Sequence, residues 1–204
     1  MRTTTFHKPK DIEVFKQNIL LWSQQFDDVV WLDSNNHKDQ YSSYDAVLAV
    51  DAFTALKTDY FDAFENLKEY YSTTEDWIFG YLTYDLKNDV EKLSSKNFDG
   101  LYFPDLYFFQ PKKLFLFKDD EVEIQYMRMV DDEIERDLVE IIQTSHLKTQ
   151  ESNNPIKIKL RIHKDEYFEK VNRMLAHIHR GDIYEANFCQ EFYAENNVIN
   201  PLEV

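Results

Sequence analysis

The chain has 204 residues, 43% of them apolar and 16% aromatic, with 3 glycines and a formal net charge of −15. That is room for one large domain, or one domain and the start of a second, with apolar mass enough for a core; the charge argues against nucleic acid and anionic membrane as partners, and so few glycines argue against a glycine-rich phosphate loop. A single cysteine, Cys189, excludes an intrachain disulfide and fits a reducing cytosol, while the polar start from Met1 to Lys10 and the lack of an apolar run of about 18 residues argue against a signal peptide and a membrane span; the expectation is a soluble, acidic, cytoplasmic protein.

Asp11 to Phe26 reads as a helix. Ile12, Phe15, Ile19, Trp22 and Phe26 fall at steps of three and four, Asp11 is a fair N-cap, and Pro9 keeps the helix from starting earlier. Val29 to Leu32 is an apolar run that reads as a buried strand. Ser34 to Asp39 is a polar loop, and Tyr44 to Phe53 a second strand. Phe61, Phe64, Leu67 and Tyr71 repeat at helical spacing, which predicts a helix over Asp59 to Tyr71. Trp77 to Leu86 is apolar with Gly80 inside it, and a glycine in a strand marks a bulge or a close backbone approach.

Leu101 to Phe109 and Lys113 to Phe117 read as two strands separated by Pro111. Val122 to Met129 alternates behind the acidic turn Asp119-Asp120-Glu121, which predicts a hairpin with the preceding strand. Asp131 to Gln143 is helical, with Ile134, Leu138, Ile141 and Ile142 on one side and acidic residues in its first turn, where the helix dipole favours them. Thr144 to Pro155 is polar and aperiodic, a linker. Ile156 to Ile162 alternates as a strand. Asp165 to Arg180 is an amphipathic helix with Phe168, Val171, Leu175 and Ile178 inward, Gly181 stands where a C′ glycine belongs, and Ile183 to Tyr193 reads as a strand. Strands joined by hairpins rather than by regular crossover helices predict an α+β fold with antiparallel β-sheets packed with helices.

Few residues suggest chemistry. A catalytic Cys189 would need a base and a lowered pKa, and its apolar strand-like setting suits a buried, inert thiol better. His177 and His179 are two apart on a helix and point to different faces, so they do not share a metal readily. The runs Asp119-Asp120-Glu121 and Asp131-Asp132-Glu133 fit a solvated turn and a helix start rather than a cation loop. At Trp31-Leu32-Asp33-Ser34 a strand ends and delivers a carboxylate and a hydroxyl to its tip. That is either a binding position or an ordinary turn in which a side chain bonds its own backbone.

Three segments carry a resemblance. Gly181-Asp182-Ile183-Tyr184-Glu185-Ala186-Asn187-Phe188-Cys189-Gln190-Glu191-Phe192, following the helix that ends at Arg180, resembles the GDIYQVNL-type signature that opens the chorismate-binding region of the anthranilate and aminodeoxychorismate synthase component I family. Glu185 replaces the usual Gln, and Cys189 a usual small residue. Gly80-Tyr81-Leu82-Thr83-Tyr84-Asp85-Leu86, followed by Glu91, resembles the G-Y-x-x-Y-D segment of that family's amino-terminal domain. Leu32-Asp33-Ser34, with Tyr41-Ser42 and Val47 to Asp51, resembles its L-[ED]-S…YS…A-D region.

The resemblance implies a large α+β enzyme, truncated here: residues 1–150 as the amino-terminal domain and 151–204 as an incomplete beginning of the chorismate-binding region. The short lead-in before Asp33-Ser34 suits aminodeoxychorismate synthases, which convert chorismate and ammonia, delivered by a glutamine amidotransferase subunit, to 4-amino-4-deoxychorismate for para-aminobenzoate and folate. The parent's Mg²⁺ ligands and catalytic residues would lie beyond Val204, so no catalytic residue and no metal is assigned to this chain, and the fragment alone is expected to be inactive. The implied tryptophan or indole pocket takes Asp33, Ser34, Tyr41 and Ser42. Gly181, Asp182, Tyr184 and Asn187 belong to the signature as structural residues. Two alternatives stay open: an anthranilate synthase fragment, and a non-catalytic ligand-binding or docking domain of the same fold.

Overall fold

The computed structural model of the chain describes residues 1–37, 40–91, 93–96, 98–144, 156–200 and 202. The chain divides into two compact units, Met1–Leu147 and Lys148–Val204. Most of the expected linker, residues 145–155, lies outside the described residues.

The first unit runs β1 (Arg2–His7), α1 (Ile12–Ser23), β2 (Val29–Asp33), β3 (Ala46–Thr58), α2 (Ala63–Thr74), β4 (Phe79–Leu82), a 3-10 turn at Tyr84–Leu86, α3 (Lys87–Val90), β5 (Leu106–Lys118), β6 (Glu121–Met127), a 3-10 turn at Asp131–Glu133 and α4 (Ile134–Gln143). Its six strands form one sheet in the order β1-β6-β5-β3-β2, with β4 also on β5. Every pairing is antiparallel, and helices cover one sheet face, which makes the unit α+β.

α1 forms where its pattern places it. The Asp11 carboxylate accepts from the backbone N–H of Glu13 (3.0 Å) and Val14 (3.1 Å), satisfying two donors of the first turn. Phe15, Ile19 and Trp22 then point onto the sheet against Leu48, Val50, Phe115, Phe117 and Tyr126, and Ile141 of α4 joins the same core. Each such burial contributes about 1.5–3 kcal/mol. Trp22 Nε1 donates to Glu140 Oε2 at 3.1 Å, tying α1 to α4.

β5 is one strand, not two. Proline removes a ladder donor, so it interrupts a strand unless that donor has nothing to pair with. On one edge β3 shifts register between Ala52 and Thr54, opposite Pro111 and Gln110, after Asp51 turns left-handed at φ 62°. On the other edge β4 pairs with residues 106–109 and β6 with residues 113–118, leaving a gap over 110–112. Arg2 fills that gap. Its guanidinium donates to the carbonyls of Pro111, Lys112 and Gln125, and its Nε reaches Asp76 Oδ1 at 2.9 Å. Gly80 answers the other question the sequence raises: a Cβ there would stand 1.8 Å from the Tyr107 carbonyl oxygen. The glycine marks close approach of β4 to β5, with the pairing in register through Gly80 and Phe108.

Other expectations change. β1 is not foreseen, because Thr3, Thr4 and Thr5 are polar; they are also β-branched, and that is the strand signal. β2 is an edge strand with Leu32 56% exposed rather than a buried one. α2 begins at Ala63, after a left-handed Asp62 at φ 51°, so Phe61 precedes the helix. Ala63 and Leu67 face the sheet instead, while Phe61, Phe64 and Tyr71 stay exposed. Ile142 of α4 is likewise exposed.

The second unit holds β7 (Lys159–Leu160), α5 (Lys164–Arg180) and β8 (Phe192–Tyr193), with β7 and β8 antiparallel. The strands expected over 156–162 and 183–193 shrink to these two-residue pieces, since among the described residues no further strand is there to extend the ladder. No residue of α5 is buried; Phe168 is 50% and Leu175 41% exposed, so the face expected inward is open. Cys189 is exposed and outside any strand, against the expectation of a buried thiol.

Candidate functional site

Asp33, Ser34, Tyr41 and Ser42 all lie on the connection between β2 and β3, at the open edge of the sheet. Asp33 pairs with Ala46 as the last rung of the ladder, and Ser34 N–H continues it to the Asp45 carbonyl at 2.8 Å. Asp45 is itself tied to the hairpin between β5 and β6: its N–H donates to Phe117 O (2.8 Å), and its carboxylate accepts from Asp119 N–H (2.7 Å). The strand tip is therefore held by two neighbouring strands.

Beyond the tip the chain reverses. Asn35 and Asn36 are both left-handed (φ 50° and 61°), a conformation that asparagine tolerates. The Asp33 carboxylate accepts from Asn35 N–H at 2.7 Å, and the Ser34 carbonyl from His37 N–H at 2.9 Å. The other Asp33 oxygen lies 3.6 Å from Lys16 Nζ of α1, which also reaches Glu13 at 3.4 Å. Lys16 and Asp33 have side chains only 12% and 20% exposed. Ser42 donates to the Tyr44 carbonyl at 2.7 Å, and Tyr41 is 83% exposed. Lys16 is the member that sequence reading missed; its place one turn from Asp11 on α1 gives no sign that it reaches across to β2.

Chemically, this edge offers a carboxylate and hydroxyls. Asp33 already carries a cation and a turn amide, so an ammonium ligand would exchange with Lys16 rather than meet a free acid. Both side-chain-to-backbone bonds, Asp33 to Asn35 and Ser42 to Tyr44, are those of ordinary turns.

In the second unit Gly181 caps α5 at φ 86°. Its N–H bonds to Ile178 O (3.0 Å), and Asp182 N–H to His177 O (3.0 Å), the paired bonds of a Schellman ending. Arg180 donates to the Asp182 carboxylate, and His177 Nδ1 lies 2.7 Å from it; these bonds hold Asp182 below the usual carboxylate range, the Arg180 bond contributing most. Tyr184 is 92% exposed, and Asn187 is exposed too. The rest of the segment is pinned by Phe188 against Tyr167 (centroids 5.3 Å apart) and by Glu191 on Arg161, a bidentate pair at 2.7 and 2.9 Å.

Among the described residues no three His, Cys, Asp or Glu side chains converge where a metal ion would need them. Nor is any helix among them long and apolar enough to cross a membrane.

A family model described as chorismate binding enzyme matches residues 17–204. An anthranilate synthase component I-like protein of Synechocystis sp. (strain ATCC 27184 / PCC 6803 / Kazusa) is 26% identical over 132 residues, which cover 64% of this chain and 27% of that protein. The chain thus spans about a quarter of the length of that relative.

Proposed function

The chain belongs to the chorismate binding enzyme family, and from that premise we propose that it is the amino-terminal part of an aminodeoxychorismate synthase component I. The parent protein would act in the cytoplasm on chorismate and ammonia, the ammonia supplied by a glutamine amidotransferase subunit, and would release 4-amino-4-deoxychorismate for para-aminobenzoate and folate synthesis. The observation that carries the reading is the segment after α5: Gly181 in the left-handed ending and Asp182 fixed by Arg180 and His177, at the head of Ile183-Tyr184-Glu185-Ala186-Asn187. In this reading Asp33, Ser34, Tyr41 and Ser42 form one wall of a pocket for tryptophan or a related indole, and the chemistry is carried by residues outside this chain, Mg²⁺ ligands included.

A second reading, anthranilate synthase component I, is favoured by the name of the Synechocystis relative. One assay separates them. The whole protein encoded by the reading frame that contains this sequence is given chorismate, ammonium and Mg²⁺. Formation of 4-amino-4-deoxychorismate, detected as para-aminobenzoate after a lyase is added, is the expected result; anthranilate fluorescence without the lyase would replace the reading by the second, and no turnover would leave a binding or docking domain.

A further inference from the structure

The start of α1 and the last turn of α4 leave a groove of about 390 Å³ between them, closed at one end by His7 at the end of β1 and by Pro9. Its apolar lining includes two side chains that the fold leaves without cover, Val14 at 48% and Ile142 at 56% exposed, together with the buried Phe15. Asn18 lies on the same wall. It is 8% exposed, yet its carboxamide meets no hydrogen-bond partner among the described residues. The amide is not sealed in the core: it opens on the groove, where a ligand can reach it. His7 packs on Phe15 with centroids 5.2 Å apart, and burial lowers its pKa, which keeps the imidazole neutral near pH 7.

We propose that this groove is a binding site for a small, neutral, planar ligand with an amide edge, a monocyclic lactam or an aromatic carboxamide. The class follows from the lining. An asparagine carboxamide presents one donor and one acceptor side by side, and a lactam or carboxamide answers both, whereas a carboxylate can only accept and leaves Asn18 Oδ1 unpaired. Phe15, Val14 and Ile142 take the flat apolar body. The rim is balanced in charge: Lys8 pairs with Asp120 at 2.5 Å, and Lys10 stands next to Asp11 in the chain. With −15 on the whole molecule, nothing at this rim draws an anion. The groove is separate from the edge that carries Asp33, since α1 presents Val14 and Asn18 here and Lys16 there.

The test is a ligand-detected NMR titration of the 204-residue chain with 2-pyridone, benzoate and cyclohexanol. Saturable binding of 2-pyridone in preference to the other two is expected. Asn18→Leu keeps the branched outline of the side chain and removes the amide, so it should weaken 2-pyridone about tenfold, the worth of one to two hydrogen bonds. Val14→Trp fills the groove from a half-exposed position and should abolish binding. No saturation by 2-pyridone, a preference for benzoate, or equal binding by either variant overturns the proposal. If Asn18→Leu does not fold, Val14→Trp decides alone.

Discussion

Lys113 and Asp137 meet at 2.5 Å inside the first unit, with side chains 3% and 1% exposed. Lys113 also reaches Glu133 at 2.6 Å, Tyr126 OH donates to the same Asp137 oxygen, and Arg136 holds the other. The bond from Lys113 is the main reason that Glu133 sits below its ordinary pKa, and burial first, then Asp137, pushes Tyr126 up. Removing one partner strands a buried charge. Lys113→Met should therefore cost about 3–5 kcal/mol in urea unfolding. Adding Asp137→Leu to it should recover much of that loss; a double variant weaker than the single one would mean that the network, not the stranded charge, sets the cost.

Asp76 gives a pH-dependent term. Burial alone would raise its pKa, but the bonds from Arg2, Gln110 and Trp77 N–H outweigh burial and hold it below the ordinary value of 3.8. A depressed carboxyl contributes its stability above the unfolded pKa and loses it as pH falls through the folded one. The stability difference between wild type and Arg2→Met should thus be largest near pH 7 and shrink below about pH 4. Paired urea titrations at pH 7 and pH 3 measure it, and a constant difference would exclude Asp76 as its source.

Gly80→Ala should cost at least about 2 kcal/mol, because the methyl group meets backbone rather than a side chain that can swing away. Amide exchange at Phe79 to Leu82 should rise with it, as β4 is pushed off β5.

At the strand edge, Lys16 competes with any ammonium for Asp33. In the whole protein, Lys16→Met should tighten tryptophan binding, and Asp33→Ala and Ser34→Ala should each weaken it by about tenfold, the worth of one charge-assisted bond. Calorimetry reads all three; unchanged affinity in Asp33→Ala would remove this edge from the pocket.

No described residue of the second unit is buried. Its amides, α5 included, should exchange faster than those of β5 and β6 in the same sample, and Cys189 should react with a thiol reagent without denaturant. Slow exchange across 156–200 would contradict this.

Helix α1 was legible because its cap and its stripe are local signals: Asp11, then Phe15, Ile19 and Trp22. The hairpin of β5 and β6 was legible for the same reason, from its acidic turn. β5 itself was not, because what lets Pro111 stand inside a strand is far away in sequence: a bulge near Ala52 and the side chain of Arg2. Of the candidate edge, sequence supplied Asp33 and Ser34 and could not supply Lys16, which reaches Asp33 only once α1 lies across β2. Gly181 was readable from its place behind a helix; the hold of His177 and Arg180 on Asp182 follows from that turn but has no pattern of its own.

The pairing of β1 with β6 joins Arg2 to Met127. On the ribosome, where synthesis proceeds at about 5–20 residues per second, β1 must wait roughly 6–25 s for β6 to be translated. Until then β1 has no ladder to join, and the notch around Pro111 lacks Arg2. β1 therefore joins the sheet only after β6 has been made, whereas β2 and β3 can pair with each other long before it.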